Sequence, residues 1–350
     1  MKEVRIETGQ PYVVTVGGQL SAIGTGLRER HAPCAAMLVA DDTVNALYGD
    51  AAAASLTEAD FSVSRFAFPH GEGSKNLSTL AALLDALAAA RLTRTDVIVA
   101  LGGGVTGDLT GFAAAVYLRG IPYVQVPTTL LAAVDSSVGG KTGVDLPAGK
   151  NLVGAFHQPL WVLCDLSLLH TLSDEAFAGG LAEMIKYGVI ADEALFETLA
   201  SGDRTALEKS IARCVELKGA LVTQDERDTG CRQLLNLGHT LGHAVEQRSG
   251  YSIAHGQAVA IGMAYIARAG ERAGLCAPRT AERIGRALTA NGLPVECPYP
   301  VAELVPYLLA DKKRKGDAIT LVLPERIGAC VLHAMPVDAL PAFLAQGEGR

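Results

Sequence analysis

The stretch Asp96-Val97-Ile98-Val99-Ala100-Leu101-Gly102-Gly103-Gly104-Val105-Thr106-Gly107-Asp108 decides the fold class. Asp96 to Leu101 reads as an apolar strand, the pattern of a chain buried on both faces of a parallel sheet. The second half, Gly102-x-Gly104-x-x-Gly107, has the spacing of a dinucleotide-binding turn. Glycines let the backbone come close to a pyrophosphate. The helix that follows, expected to run to about Leu118, offers unpaired N–H groups and a positive dipole end. Two details depart from an ordinary turn of this kind. It follows about the third strand rather than the first, and no acidic residue stands about 20 positions on to hold a ribose. On the glycines alone, a tight strand-to-helix turn that needs glycine for packing is the competing explanation.

Working outward, short β-rich runs alternate with helical stretches. Ala36 to Ala40 and Ser62 to Phe68 read as strands, Asn76 to Ala90 as an alanine-rich helix with Asn76 as its N-cap, and Tyr123 to Val126 and Trp161 to Cys164 as further strands. This order predicts a doubly wound α/β domain. The pattern changes near Thr171. Beyond it, apolar residues recurring at three and four predict helices over Glu175–Ile190, Ala206–Thr223, Gln233–Arg248, Ala254–Ala273 and Thr280–Asn291, with a short β pair near Ile319–Leu323 and Cys330–His333. The expected architecture is an N-terminal Rossmann-like α/β domain over residues 1–172 and a mostly α-helical domain over 173–350, with the active site in the cleft between them.

Composition narrows the class. Of 350 residues, 49% are hydrophobic and 19% charged, enough for two packed cores and too few charges for disorder. No window approaches the roughly 18 apolar residues of a membrane span. The opening Met1-Lys2-Glu3-Val4-Arg5-Ile6-Glu7 has no apolar core of the signal-peptide kind. Seven cysteines, odd in number and never three apart, argue for a reducing, cytoplasmic setting. A formal net charge of −7 offers no global attraction for nucleic acid or acidic membranes. An anionic ligand therefore needs locally gathered bases.

Such bases, and a candidate metal set, lie in the rest of the chain. Glu183 and Lys186 are three apart on one helix and project together. Arg232, Asn236, His239 and His243 are spaced four, three and four, as if on one stripe of the next helix, and His255 begins another. One carboxylate and two imidazoles from different segments make a common catalytic zinc set with an open fourth position. Glu183, His239 and His255 are the best trio, although spacing alone does not choose His239 over His243. Arg119 ends the helix after the glycine turn. Lys141 and Lys150-Asn151 lie in a glycine-rich loop over 139–155, Lys218 lies on the helix before Arg232, and Lys312-Lys313-Arg314-Lys315 stands near the end. Gly140-Lys141-Thr142 superficially suggests a triphosphate loop, but Asp135 occupies the position where that pattern needs glycine.

Taken together these segments resemble the 3-dehydroquinate synthase family of the sugar-phosphate cyclases. The resemblance rests on Pro69-His70-Gly71-Glu72-Gly73-Ser74-Lys75, Ala100 through Asp108, Val126-Pro127-Thr128-Thr129 through Gly140-Lys141-Thr142, and Gly149-Lys150-Asn151. It continues through Ala182-Glu183-Met184-Ile185-Lys186-Tyr187-Gly188, Leu235-Asn236-Leu237-Gly238-His239-Thr240-Leu241-Gly242-His243-Ala244 and His255-Gly256-Gln257-Ala258-Val259. It implies NAD held near Asp41, Glu72, Lys75, Gly103, Gly104, Val105, Asp108, Thr128, Thr129, Lys150 and Thr171. It implies a divalent metal, zinc or cobalt, on Glu183, His239 and His255. It implies substrate contacts from Arg119, Asp135, Lys141, Asn151, Lys186, Lys218, Arg232, Asn236, His243 and one lysine of Lys312-Lys313, here Lys312. The chemistry is placed on Lys141, Lys186, Asn236, His243 and Glu183.

The activity implied is the conversion of 3-deoxy-D-arabino-heptulosonate 7-phosphate to 3-dehydroquinate and phosphate in a cytoplasmic homodimer that binds neither nucleic acid nor membrane. Some positions depart from the family pattern: Asp42-Thr43 follows Asp41 where Thr-Asn is common, Leu172-Ser173-Asp174-Glu175 replaces Leu-Pro-x-Arg, and Gln257 replaces a commoner Glu. None removes a catalytic group. The alternatives are a sister cyclase acting on a neutral sugar phosphate and a metal-dependent polyol dehydrogenase. The first lacks a substrate carboxylate, which Lys218 and Arg232 would meet here, and the second would accumulate NADH in solution.

Overall fold

In the strand Val97–Gly102 every residue is buried, and its side chains split between two cores. Val97, Val99 and Leu101 join Ile23, Leu27 and Leu56 on one face, while Ile98 joins Met37, Leu83, Leu87, Leu109 and Phe112 on the other. That alternation is what a strand covered by helices on both sides requires. A computed structural model places residues 1–309, 314–315 and 317–349. The chain divides into two compact units, Met1–Leu172 with Lys218–Arg227, and Ser173–Leu217 with Asp228–Arg350.

The first unit is built on the strands β1 (Lys2–Ile6), β2 (Tyr12–Val16), β3 (Ala35–Asp41), β4 (Ser62–Phe68), β5 (Val97–Gly102), β6 (Tyr123–Pro127), β7 (Lys141–Leu146), β8 (Gly149–Phe156) and β9 (Trp161–Cys164). Its helices are α1 (Ile23–Arg28), α2 (Asp42–Val44), α3 (Asp50–Glu58), α4 (Leu77–Ala89) and α5 (Gly104–Val116). Seven strands form one sheet in the order β1-β2-β9-β6-β5-β3-β4, parallel except for the β1–β2 hairpin. The chain leaves β3 outward to β4 and leaves β5 the other way to β6, so the sheet reverses direction between β3 and β5. Ligands of open α/β sheets bind outside the carboxyl ends of the strands at such a reversal.

The second unit holds α6 (Asp174–Ala191), α7 (Glu193–Ala200), most of α8 (Leu207–Gln224), α9 (His239–Arg248), α10 (His255–Arg272), α11 (Thr280–Ala290), α12 (Val301–Leu309) and α13 (Leu340–Ala345), with a small antiparallel sheet of β10 (Arg314–Lys315), β11 (Ala318–Arg326) and β12 (Ala329–Pro336). From Lys218 onward α8 belongs to the first unit. Ala258 to Ala267 are buried without a break, so α10 is the central helix of this unit. Among the described residues no helix is long and apolar enough to cross a membrane.

Three sequence expectations need correction. Residues 139–155 are not a loop: Lys141–Leu146 and Gly149–Phe156 pair as an antiparallel hairpin, whose glycines at 143 and 154 let the two backbones approach. Gln233–Arg248 is not one helix. A 3₁₀ turn over Cys231–Asn236 ends at Leu237, and Gly238, at φ 78°, turns the chain before α9 begins at His239. Arg232 and Asn236 therefore share no helical stripe with His239 and His243. The helix after the glycine turn ends at Val116; Leu118 and Arg119 follow at positive φ, which breaks it. Lys312, expected to meet the substrate, lies outside the described residues.

Candidate active site

In the first unit the glycine turn sits at the carboxyl end of β5. Gly103 is the N-cap of α5, and Val105 lies in that helix's first turn, where N–H groups have no intrahelical partner. A Cβ on Gly102 or Gly107 would lie 2.3 Å from Thr106 Oγ1 or 2.5 Å from Gln125 Oε1, so these two glycines serve packing. At Gly103 and Gly104 a Cβ would come no nearer than 3.1 Å to Thr129 and Ser136 respectively, so these two lie against side chains rather than backbone. Thr128 N–H donates to the Gly102 carbonyl at 3.0 Å, which holds Thr128 and Thr129 beside the turn. The acidic residue missing downstream has a counterpart upstream: Asp41 ends β3, the strand paired with β5, and its Oδ1 caps Val44 N–H at 2.9 Å. The arrangement fits a dinucleotide in its donors and in its place at the sheet reversal.

Around the turn several expected residues meet. The Lys75 ammonium is buried and donates to Asp108 Oδ2 at 2.6 Å and to Asn151 Oδ1 at 2.7 Å. Burial works against its charge, but Asp108, helped by Glu72 and Asp145, outweighs burial and holds the ammonium above its usual range. Asn151, at φ 53° on β8, is thus tied to the lysine of the glycine turn as well as to Asp145 Oδ1 through its own N–H. Glu72 and Lys150 form a looser pair at 3.3 Å. The Tyr48 hydroxyl and Thr171 Oγ1 lie 2.7 Å apart. Lys218 is buried and donates to both Oδ1 (2.7 Å) and the backbone oxygen (2.5 Å) of Asp135. Arg119 and Lys141 are exposed, the latter as the first residue of β7.

In the second unit close helix contacts gather the metal-type ligands. A Cβ at Gly256 would lie 2.3 Å from Gly179 Cα, and one at Gly262 would lie 1.9 Å from the Gly238 oxygen. These glycines let α10 press against α6 and against the start of α9. His255 then faces Glu183, one turn beyond Gly179, and faces His239, which follows Gly238. The ligand atoms of Glu183, His239 and His255 all lie within 4.8 Å of one another. His239 Nε2 is 3.7 Å and His255 Nε2 3.5 Å from Glu183 Oε1. His239 Nδ1 lies 3.0 Å from the Leu237 carbonyl. That contact makes Nδ1 the donor and leaves the Nε2 lone pair for a ligand.

Glu183 is fully buried, and Lys186 pairs with it from the same helix at 1% exposure. Burial lowers the basicity of His255, but Glu183 and Glu246 outweigh it and push its pKa up to about 10. The donor set, one buried carboxylate and two imidazoles with their ligand atoms in mutual reach, fits zinc or cobalt.

His243 stands one turn after His239, with ring centroids 5.5 Å apart, and belongs to a second mutual group with Glu246 and His255. Arg232 is buried, and Asn236 donates to the Gln233 oxygen at 3.1 Å. Sequence reasoning missed Glu246. Its signal was present: it stands seven residues, two helical turns, after His239 and so on the same face of α9.

Comparison with known proteins agrees across both halves. Residues 65–179 match the family 3-dehydroquinate synthase N-terminal, and residues 180–314 match 3-dehydroquinate synthase C-terminal. A 3-dehydroquinate synthase of Pelobacter propionicus is 46% identical over 333 residues, covering 93% of each chain. A crystal structure of 2-deoxy-scyllo-inosose synthase complexed with carbaglucose-6-phosphate, NAD+ and Co2+ superposes with a TM-score of 0.89 at 26% identity, over 99% of this chain and 100% of that one. A structure of 2-epi-5-epi-valiolone synthase from Streptomyces hygroscopicus with NAD+ and Zn2+ bound superposes with a TM-score of 0.86 at 28% identity, over 96% of this chain and 97% of that one.

Proposed function

Because the chain belongs to the 3-dehydroquinate synthase family, we propose that it converts 3-deoxy-D-arabino-heptulosonate 7-phosphate to 3-dehydroquinate and inorganic phosphate, a carbon–oxygen lyase reaction of aromatic biosynthesis. The substrate is oxidised at C5, loses phosphate by elimination, is reduced again at C5, opens its ring and closes by an intramolecular aldol step. Oxidation and reduction cancel, so the net reaction needs no oxidant.

Two groups absent from the polypeptide are needed. NAD would sit at Gly103, Gly104 and Val105 with Asp41, Glu72, Lys75, Asp108, Thr128, Thr129, Lys150 and Thr171 about it, and the ion on Glu183, His239 and His255. When bound, NAD supplies a hydride acceptor restored within each turnover, and the divalent ion supplies a Lewis acid for the hydroxyl to be oxidised. The observation that carries this reading is the buried carboxylate Glu183 with two imidazole nitrogens at 3.5 and 3.7 Å.

The polypeptide's own groups would bind and orient. Phosphate and carboxylate together bring about three negative charges, and several cations must meet them. Lys141, Asn151, Lys186 and Lys312 are assigned to the phosphate, and Lys218 and Arg232 to the carboxylate, with Arg119, Asp135 and Asn236 completing the hydrogen bonds. Lys186 supports this role: held at 1% exposure, its ammonium is a fixed charge with little solvation to lose. His243, one turn after His239 on α9, would relay a proton at the substrate hydroxyl. A cytoplasmic homodimer is part of the same proposal, and the seven free thiols suit a reducing compartment.

The test is phosphate release from the heptulosonate phosphate, with and without NAD, before and after chelation. Release should require both and leave no net NADH. Net NADH without phosphate would point to a polyol dehydrogenase instead.

A further inference from the structure

A buried carboxylate that costs several kcal/mol to desolvate unless it is paired needs a reason for its place. Glu246 is such a group, 3% exposed near the end of α9, and the reaction outlined above gives it no task. Its Oε2 lies 3.3 Å from His255 Nδ1, while the other ring nitrogen, Nε2, lies 3.5 Å from Glu183 Oε1. The His255 ring therefore faces one carboxylate at each nitrogen. His239 is held differently, with its Nδ1 on the backbone oxygen of Leu237.

We propose that Glu246 is a positioning residue of the metal centre: it accepts the Nδ1 proton of His255 and so fixes the tautomer and ring orientation that present Nε2 to the ion. This rests on the metal reading of Glu183, His239 and His255. A neutral imidazole has one N–H, and the nitrogen that carries it cannot ligate. An acceptor at Nδ1 decides which nitrogen is left and raises its donor strength. His255 is the first residue of α10, where helical packing on its N-terminal side has not begun, so the ring needs an anchor from a neighbouring helix. The glycine contacts that seat α10 against α9 deliver it: a Cβ at Gly242 would lie 3.0 Å from the Ala258 oxygen, and Glu246 is one turn further along α9. The same residues admit a second geometry. His243, Glu246 and His255 also lie within mutual reach, and in that set Glu246 would itself ligate. The first arrangement is favoured because it gives both imidazoles an acceptor at Nδ1 and directs both Nε2 atoms to the buried Glu183.

The experiment is titration of Co2+ alone into the full metal-free chain and three variants, followed by the visible ligand-field absorption, with thermal melting as a check of folding. Glu246→Ala should bind Co2+ about 10–100-fold more weakly than the unaltered chain. Glu246→Gln, whose amide oxygen still accepts from Nδ1–H, should recover most of that loss with the same absorption band. His239→Ala should lose the band. Wild-type affinity in Glu246→Ala overturns the proposal. So does Glu246→Gln binding as poorly as Glu246→Ala while His239→Ala still binds, because Glu246 would then be a ligand. If the unaltered chain takes up no Co2+, the metal reading falls and this inference with it. Should Glu246→Ala not fold, Glu246→Asp replaces it: weaker binding supports the proposal, and unchanged binding overturns it.

Discussion

At the residue scale, two side chains carry most of the testable chemistry. His239 turns Nε2 toward Glu183 because its other nitrogen is occupied by the Leu237 oxygen. His239→Ala should leave the protein folded and without bound zinc; metal analysis after purification checks this, and a normal zinc content would remove His239 from the ligand set. Lys186 is expected to act on charge that develops at the leaving phosphate. Lys186→Ala should lower kcat by about 10²–10³, the usual cost of losing one preorganised donor in a closed site. Steady-state kinetics decides, and an unchanged rate takes Lys186 out of the active site. A third residue reports on stability. Burial raises the Cys276 thiol from its ordinary 9.0 to about 11, with Glu271 adding to the shift. Because the folded value is the raised one, the thiol's contribution is intact below about pH 9 and is lost as pH climbs toward 11. Denaturant midpoints across that window should fall more steeply in the unaltered chain than in Cys276→Ala; parallel curves would show that the thiol does not ionise on unfolding.

At the element scale, what could be read from sequence was whatever a local pattern determines. The apolar run into Gly102 marked β5, and three-and-four spacing marked α6, α8, α10 and α11 to within about two residues at each end. The hairpin of β7 and β8 was hidden because its glycines and lysines have the composition of a loop, and only the pairing of the two segments reveals the strands. The break at Gly238 was hidden for the opposite reason: four polar residues at helical spacing run straight across it, and a single glycine in the left-handed region carries the turn. The metal trio was legible only as a candidate, since spacing left His239 and His243 equal. What separates them is the contact of α10 with α6 and α9 through glycine. Gly256→Ala should therefore spread α6 and α10, cost about 1–3 kcal/mol by overpacking, and weaken metal binding although it alters no ligand. Calorimetric melting together with Co2+ titration measures both. A variant with unchanged affinity would show that the 2.3 Å approach does not position His255.

At the scale of the whole molecule, the sheet order explains the feature that looked irregular in the sequence. The glycine turn follows β5 instead of the first strand, yet it still lies beside the strand reversal, and Asp41 reaches its side from β3, earlier in the chain. The nucleotide-type donors belong to one unit and the metal-type candidates to the other; the first were legible as a local motif, the second only as a candidate set. The claim that unites them is that NAD is restored inside each turnover. The most direct measurement uses substrate carrying deuterium at C5, with unlabelled NADH added to the solution. The account predicts that the 3-dehydroquinate formed keeps its deuterium in full. Loss of label to the nicotinamide pool, or deuterated NADH in solution, would contradict it.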